Sequence, residues 1–151
     1  MKLVVAAVSP ARSRSKSPAL DALLADYLTR IARYYPCEQR LFPTEVALLD
    51  FAANSSARTP AHLILLDSAG KQLTSEAFAA TIGKLRDRGT QTVLLAIGPA
   101  DGWSPAARSA AQLLLSLGPM TLAHELARLV LAEQLYRACT ILAGHPYHCG
   151  H

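Results

Sequence analysis

The sequence predicts an α/β protein with a mostly parallel sheet and helices on both faces. Short aliphatic runs alternate along the chain with longer segments of helical spacing. The first run, residues 3–8, is almost entirely aliphatic, as in strands buried on both faces. With 151 residues, 51% hydrophobic and 17% charged, the chain is long enough for a hydrophobic core and unlike a disordered protein. We see no repeat or linker and predict one domain over residues 1–151.

Four strands are predicted from apolar runs that end in turn residues. They are residues 3–8, Cys37–Phe42, residues 62–66 and Thr92–Ile97. The third strand is predicted to close in a turn, because Asp, Ser, Ala and Gly follow at residues 67–70. Residues 117–122 fit a short strand or an extended loop.

Helices are predicted between the strands from capping residues. Pro18 suits the first turn of a helix, and the leucines after it recur at helical spacing. Thr44, Thr74 and Ser104 each precede a helix as an N-cap. The last helix is predicted at His124–Leu142.

The last helix carries apolar residues around its whole circumference. A helix of this kind must be covered on all sides. In a chain of this size a second subunit would supply the cover, which predicts a homodimer through this helix. The alternative is a central core helix in a monomer.

The net charge of +4 is compatible with a phosphate-bearing partner. Arg12, Arg14 and Lys16 alternate with serines after the first strand, a pattern that suits phosphate contacts. A solvated loop explains the same pattern equally well.

The cysteines and the apolar segments indicate a soluble cytoplasmic protein. Cys37, Cys139 and Cys149 form no CxxC pair, so we expect free thiols in a reducing compartment. The apolar start is too short for a secretory signal. Residues 109–124, the longest stretch without Asp, Glu, Lys or Arg, are too few to span a bilayer.

Two loops follow strands at the carboxyl edge of the predicted sheet, at residues 98–102 and 117–120. Open α/β sheets bind ligands at this edge. Neither loop has a phosphate-binding motif, but their glycines would let the backbone approach a planar ligand such as adenine. By spacing alone, two ordinary turns explain the loops equally well.

The end of the chain concentrates titratable side chains. Glu133 and Arg137 share one helix face, either as a structural ion pair or as a pair that orients a substrate. The tail holds three histidines and a cysteine within residues 145–151, a density that could bind zinc. Because no matching Cys or His cluster lies elsewhere in the sequence, we expect no metal.

Several blocks resemble the ribosomal RNA large subunit methyltransferase H family. They are LLDSAGK at residues 65–71, SEAFA at 75–79, IGPADG at 97–102, LSLGPMTL at 115–122, then His124, Arg128, EQLYRA at 133–138 and YH at 147–148. The blocks occur in the family's order and cover residues 62–148 densely.

The resemblance implies a SPOUT-type fold, an α/β sheet whose carboxyl-terminal part forms a trefoil knot. It further implies a homodimer that uses S-adenosylmethionine. The implied reaction is methylation of N3 of a pseudouridine in a 23S rRNA stem-loop on assembled ribosomes.

The resemblance also implies site residues. The cofactor residues would be Leu66, Gly98, Leu117, Gly118, Pro119, Met120, Thr121 and Leu122. Candidates to accept the N3 proton or to orient the acceptor are Tyr147, His148, Glu133, Arg137, His124 and Arg128. Two alternatives are a non-enzymatic α/β module that binds a nucleotide-like ligand in the same loops, and an interaction protein with a metal-binding tail.

Overall fold

The structure is a computed structural model that describes residues 1–9, 17–55 and 59–149. The strands are β1 (Lys2–Val8), β2 (Cys37–Phe42), β3 (His62–Gln72), β4 (Thr92–Ile97) and β5 (Leu113–Ser116). The helices are α1 (Pro18–Ile31), α2 (Glu45–Ala53), α3 (Ser75–Asp87), α4 (Pro105–Ala110), α5 (His124–Leu142) and a final 3₁₀ turn, Pro146–His148. The basic residues Arg12, Arg14 and Lys16, and His151 of the tail, lie outside the described residues.

The strands form one sheet in the order β2-β1-β4-β3-β5, and every pairing is parallel. Successive side chains of β1 and β4 enter opposite layers of the core. One layer includes Ile82 of α3 and Leu131 of α5, and the other includes Leu48 of α2 and Ala107 of α4. The predicted α/β class is therefore confirmed. The trefoil knot stays a prediction of the resemblance.

Of the two alternatives for residues 117–122, the structure shows the loop. The short strand before it, β5, was not predicted, and the predicted end of β3 is wrong. Residues 67–70 do not end β3, which continues to Gln72 with a register shift between Leu66 and Lys71. Their turn-like composition is tolerated because β5 pairs with β3 on both sides of this irregularity.

The predicted helix starts are confirmed. Ser17, Thr44, Thr74 and Ser104 each accept a hydrogen bond at a helix N-terminus. In the described residues, no helix combines the length and the apolar character that crossing a membrane requires.

Helix α5 is covered to a large extent by its own chain. It contacts α1, α3 and the sheet, and Tyr136 packs against Tyr27 of α1 with ring centroids 6.0 Å apart. Leu131 and Leu135 are fully buried, whereas Leu126 near the start of the helix is 39% exposed. Most of the apolar surface of α5 is thus covered without a second subunit, and the homodimer stays a prediction.

Candidate active site

A cavity of about 450 Å³ lies at the carboxyl ends of β4 and β5 and beside the irregular middle of β3, at residues 66–68. This volume is within the usual range for small-molecule sites. Seven of the eight predicted cofactor residues line it, namely Leu66, Gly98, Leu117, Gly118, Met120, Thr121 and Leu122. Pro119 does not line it. Residues from three segments that are far apart in sequence therefore converge on one site.

The loop after β5 is fixed by a buried serine. Ser116 Oγ accepts a hydrogen bond from Gly118 N at 3.2 Å and donates one to Gly118 O at 3.1 Å. Gly118 has φ +128°, a conformation that disfavours side chains, and a Cβ added there would meet no atom of the described residues within 4 Å. The loop thus presents bare backbone to the cavity.

Trp103 forms a wall of the cavity that sequence reasoning missed. Its indole Nε1 donates a hydrogen bond to the Leu66 carbonyl oxygen at 2.8 Å, and the residue is only 6% exposed. The ring lies so close to Gly98 that a Cβ there would be 2.8 Å from Trp103 Cε2. Glycine at position 98 is therefore required by the indole.

Sequence reasoning also missed Asp67 and Arg108, which both line the cavity. Asp67 Oδ1 accepts a hydrogen bond from Ala69 N at 2.9 Å. Asp67 Oδ2 lies 3.0 Å from Arg108 Nη2 as an ion pair, yet it has no aligned hydrogen-bond donor among the described residues. The Asp67 side chain is 4% exposed and the Arg108 side chain 46% exposed.

His124 is the one predicted catalytic residue that lines the cavity. Its Nε2 is buried, and no described residue gives it a hydrogen-bond partner. Arg128, one turn further along α5, is buried and does not line the cavity. Its Nη2 lies 3.5 Å from Asp21 Oδ1, which joins α5 to α1.

Four other predicted catalytic residues meet in a separate polar network around Glu133. Its Oε1 accepts hydrogen bonds from Arg137 Nη2 at 2.7 Å and from the Tyr147 hydroxyl at 3.0 Å. Its Oε2 accepts from Gln134 Nε2 at 2.7 Å. The hydrogen bond with Glu133 raises the pKa of Arg137, and burial raises the pKa of Tyr147. Both shifts favour the protonated form of the side chain.

His148 completes this network and ties the tail to α3. Arg137 Nη1 lies 3.2 Å from His148 Nδ1, and His148 Nε2 lies 2.8 Å from Glu76 Oε1. Because a guanidinium can only donate, Nδ1 accepts and Nε2 carries the proton donated to Glu76. The contact with His148 lowers the pKa of Glu76 to about 2.

The polar network and the cavity are distinct within one chain. None of Glu133, Arg137, Tyr147 and His148 lines the cavity. A smaller cavity of about 230 Å³ shares the wall 115–118 with the larger one and reaches Gln134, which hydrogen-bonds Glu133. Among the residues that the structure describes, no three His, Cys, Asp or Glu side chains converge as a metal site.

Comparison with known proteins gives one consistent result. The sequence model of a family described as "Predicted SPOUT methyltransferase" matches residues 1–148. The ribosomal RNA large subunit methyltransferase H of Koribacter versatilis is 47% identical over 138 residues, which are 91% of this chain and 94% of that protein. The protein of the same name from Brucella ovis is 60% identical over 88 residues, 58% of this chain and 52% of that protein. The match thus spans about half the length of the Brucella relative.

Solved structures show the same fold. The SpoU methyltransferase AviRb from Streptomyces viridochromogenes, in a complex with the cofactor AdoMet, aligns over 96% of this chain and 58% of its own with a TM-score of 0.51. Another AviRb structure aligns with a TM-score of 0.55 over 95% of this chain and 61% of its own. Sequence identity is 16% and 17%, so these likenesses concern the fold alone.

The match over nearly the whole chain and the 47% identity to a relative of similar length agree with the parallel sheet and with the cavity at its carboxyl edge. The chain belongs to the SPOUT methyltransferase family, in the group of the ribosomal RNA large subunit methyltransferase H proteins.

Proposed function

We propose that this protein methylates N3 of a pseudouridine in a 23S rRNA stem-loop on assembled ribosomes, with S-adenosylmethionine as methyl donor. The observation that carries the proposal is the cavity at the carboxyl edge, lined by seven of the eight cofactor residues that the family resemblance implies. We further propose that residues 1–151 form a single methyltransferase domain that works in the cytoplasm.

The cavity fits the cofactor by its chemistry. Leu66, Leu117 and Leu122 supply apolar walls for an adenine ring, and the loop at Gly118 supplies bare backbone. His124, whose buried Nε2 has no hydrogen-bond partner among the described residues, lines the same cavity. When bound, the sulfonium of the cofactor supplies an activated methyl group.

His124 is the group of this chain best placed to take the acceptor proton. N3 of pseudouridine carries a proton that must leave during methylation. His124 lines the cavity, and its buried Nε2 is unpartnered among the described residues, whereas Tyr147 is a donor and His148 Nδ1 faces Arg137. Arg128 holds this end of α5 against α1 and so supports the position of His124.

The tail network would act across a dimer interface. In one chain Glu133, Arg137, Tyr147 and His148 lie together but do not line the cavity. In a homodimer, this network of one subunit would orient the acceptor at the cavity of its partner. Positioning of this kind supplies a large share of the rate of a bimolecular transfer.

Methylation of ribosomes tests the proposal. Assembled ribosomes, isolated large subunits and free 23S rRNA, all from a strain that lacks this enzyme, are incubated with protein and methyl-labelled S-adenosylmethionine. Mass spectrometry of the nucleosides should show one methyl group on a pseudouridine, with assembled ribosomes as the preferred substrate. Cofactor binding without transfer to any of the three would contradict the proposal and favour a binding module.

His124→Gln tests the assigned base. The exchange should lower the single-turnover rate of methyl transfer and leave cofactor affinity close to that of wild type. His62→Gln is the matched control, because His62 begins β3 at the opposite edge of the sheet. An unchanged rate in His124→Gln would exclude His124 as the proton acceptor.

A further inference from the structure

We propose that Asp67 and Arg108 form the receptor for the zwitterionic amino-acid group of the cofactor, with Arg108 on the carboxylate and Asp67 on the ammonium. This inference rests on the proposed function, since it places a part of S-adenosylmethionine in the cavity. Asp67, in the middle of β3, thus lies next to Arg108 of α4, which is 41 positions later in the chain.

The Asp67 carboxylate is buried at the cavity but incompletely satisfied. Its side chain is 4% exposed, and one oxygen accepts a backbone hydrogen bond from Ala69. The other oxygen is buried and has no aligned donor among the described residues. A buried carboxylate oxygen without a donor is costly, and an ammonium group that enters the cavity would satisfy it.

Arg108 has donors to spare. Within the described part of the chain, Asp67 is its only ion-pair partner, through Nη2 at 3.0 Å. The guanidinium has five N–H donors in a planar fork, which matches a carboxylate. Its side chain is 46% exposed and lines the cavity, so the remaining donors can reach a ligand.

The two charges together favour an amino-acid group over a phosphate. A free α-amino acid group carries a carboxylate and an ammonium on one carbon, which is complementary to an Asp–Arg pair. A phosphodiester would meet the Asp67 carboxylate about as closely as the Arg108 guanidinium and offers no positive group to it. We therefore assign the pair to the cofactor and not to the RNA backbone.

Two ligands separate this site from the rest of the cavity. S-adenosylhomocysteine keeps the amino-acid group, and 5′-methylthioadenosine lacks it while it keeps the adenosine and the sulfur. Isothermal titration of both ligands is compared in wild type, Arg108→Met and Arg108→Lys. Arg88→Met is the control for loss of one positive charge, because Arg88 is exposed at the carboxyl end of α3, close to the starts of β3 and β4 at the amino edge of the sheet, whereas the cavity is at the carboxyl edge.

We expect Arg108→Met to lower the affinity for S-adenosylhomocysteine by about tenfold or more, as for loss of a charged hydrogen bond. Methylthioadenosine should bind with unchanged affinity, Arg108→Lys should be intermediate, and Arg88→Met should match wild type. Asp67→Asn should also lower the affinity for S-adenosylhomocysteine and leave the affinity for methylthioadenosine unchanged.

If Arg108→Met lost the same affinity for both ligands, or lost affinity for neither, the assignment would be overturned. An unchanged cofactor affinity with a raised KM for ribosomes would also overturn it, since that result would place Arg108 on RNA. If wild-type protein bound neither ligand, the proposed function itself would fail, which is a different result.

Discussion

His148 and Glu76 join the carboxyl-terminal turn to the first turn of α3, with 2.8 Å between Nε2 and Oε1. The two residues are 72 positions apart in sequence. Arg137 holds the other nitrogen of the same ring at 3.2 Å. The tail is therefore docked on its own chain by a side chain fixed at both nitrogens.

The Glu76–His148 contact should give the protein a specific acid sensitivity. The pKa of Glu76 is lowered to about 2, mainly by the hydrogen bond with His148, from an ordinary value of 4.5. A lowered pKa stabilises the fold above the unfolded value, and this contribution is lost as the pH falls toward about 2. The difference in urea midpoint between wild type and Glu76→Gln should be present at about pH 5 and shrink toward about pH 3.

Added salt should reduce the same difference, because Glu76 is exposed. A difference that stays constant over this pH range would mean that the contact does not form in solution.

Gly98→Ala should displace the indole of Trp103. The new Cβ would lie 2.8 Å from Cε2, so the ring must shift and its 2.8 Å hydrogen bond to Leu66 O weakens. Overpacking of this kind costs about 1–3 kcal/mol of unfolding free energy. Since the chain has one tryptophan, its emission reports the shift directly. The cost should be smaller in a Trp103→Phe background, and an equal cost there would contradict the assigned clash.

Gly118→Val should block the cofactor with a modest loss of stability. In the part of the chain that the structure describes, no atom lies within 4 Å of the new Cβ, so the cost to the fold is backbone strain at φ +128°, about 1–3 kcal/mol. Gly144→Val, at φ +68° and also in open space, is the control for strain alone. Calorimetry should show lost affinity in Gly118→Val only. Retained affinity would show that the cofactor lies elsewhere.

Deletion of residues 146–151 should abolish methyl transfer while the cavity keeps its affinity for cofactor. The cofactor residues lie outside the tail, whereas Tyr147 and His148 belong to the polar network. Tyr147 also packs against Tyr136 at 4.7 Å, so the melting temperature should fall, more than expected for a chain end. Methylation at a near wild-type rate would show that the tail is not needed for catalysis.

The thiols of Cys37, which is half-buried, and of Cys139, which is buried, should be unreactive. Burial raises the pKa of Cys37 and of Cys139 to about 12, so both are protonated near neutral pH. Ellman's reagent should titrate the exposed Cys149 alone in folded protein and all three cysteines in denaturant. Changing all three to Ser should leave methyl transfer nearly intact, with lower stability from the buried Cys139→Ser. A large loss of transfer beyond the loss of folded protein would contradict this.

Most of the fold could be predicted from local sequence signals, because each of these signals itself stabilises the helix or strand in which it occurs. The caps at Thr44 and Thr74 and the aliphatic run of β4 each act within a few residues. The short β5 carries no comparable signal, since four residues in an edge strand are defined by pairing with β3.

The candidate site was predictable only where a motif was continuous. The loop at residues 117–122 was found through the family resemblance, and most of it lines the cavity. Trp103 and the Asp67–Arg108 pair were missed because their partners are 37 and 41 positions away, a relation that exists only after folding. A contact between the tail and a second subunit would depend on how two chains pack in the homodimer, which local sequence signals do not encode.

The strand order β2-β1-β4-β3-β5 has a consequence for synthesis of the protein. β1 is an internal strand of the sheet between β2 and β4, with Lys2 opposite Thr92 of β4. While the chain emerges from the ribosome, β1 can pair only with β2, and its other edge stays open until about residue 97 has been made. An apolar strand with an open edge is prone to aggregate. The nascent chain of this protein should therefore bind chaperones over the interval between synthesis of β2 and synthesis of β4.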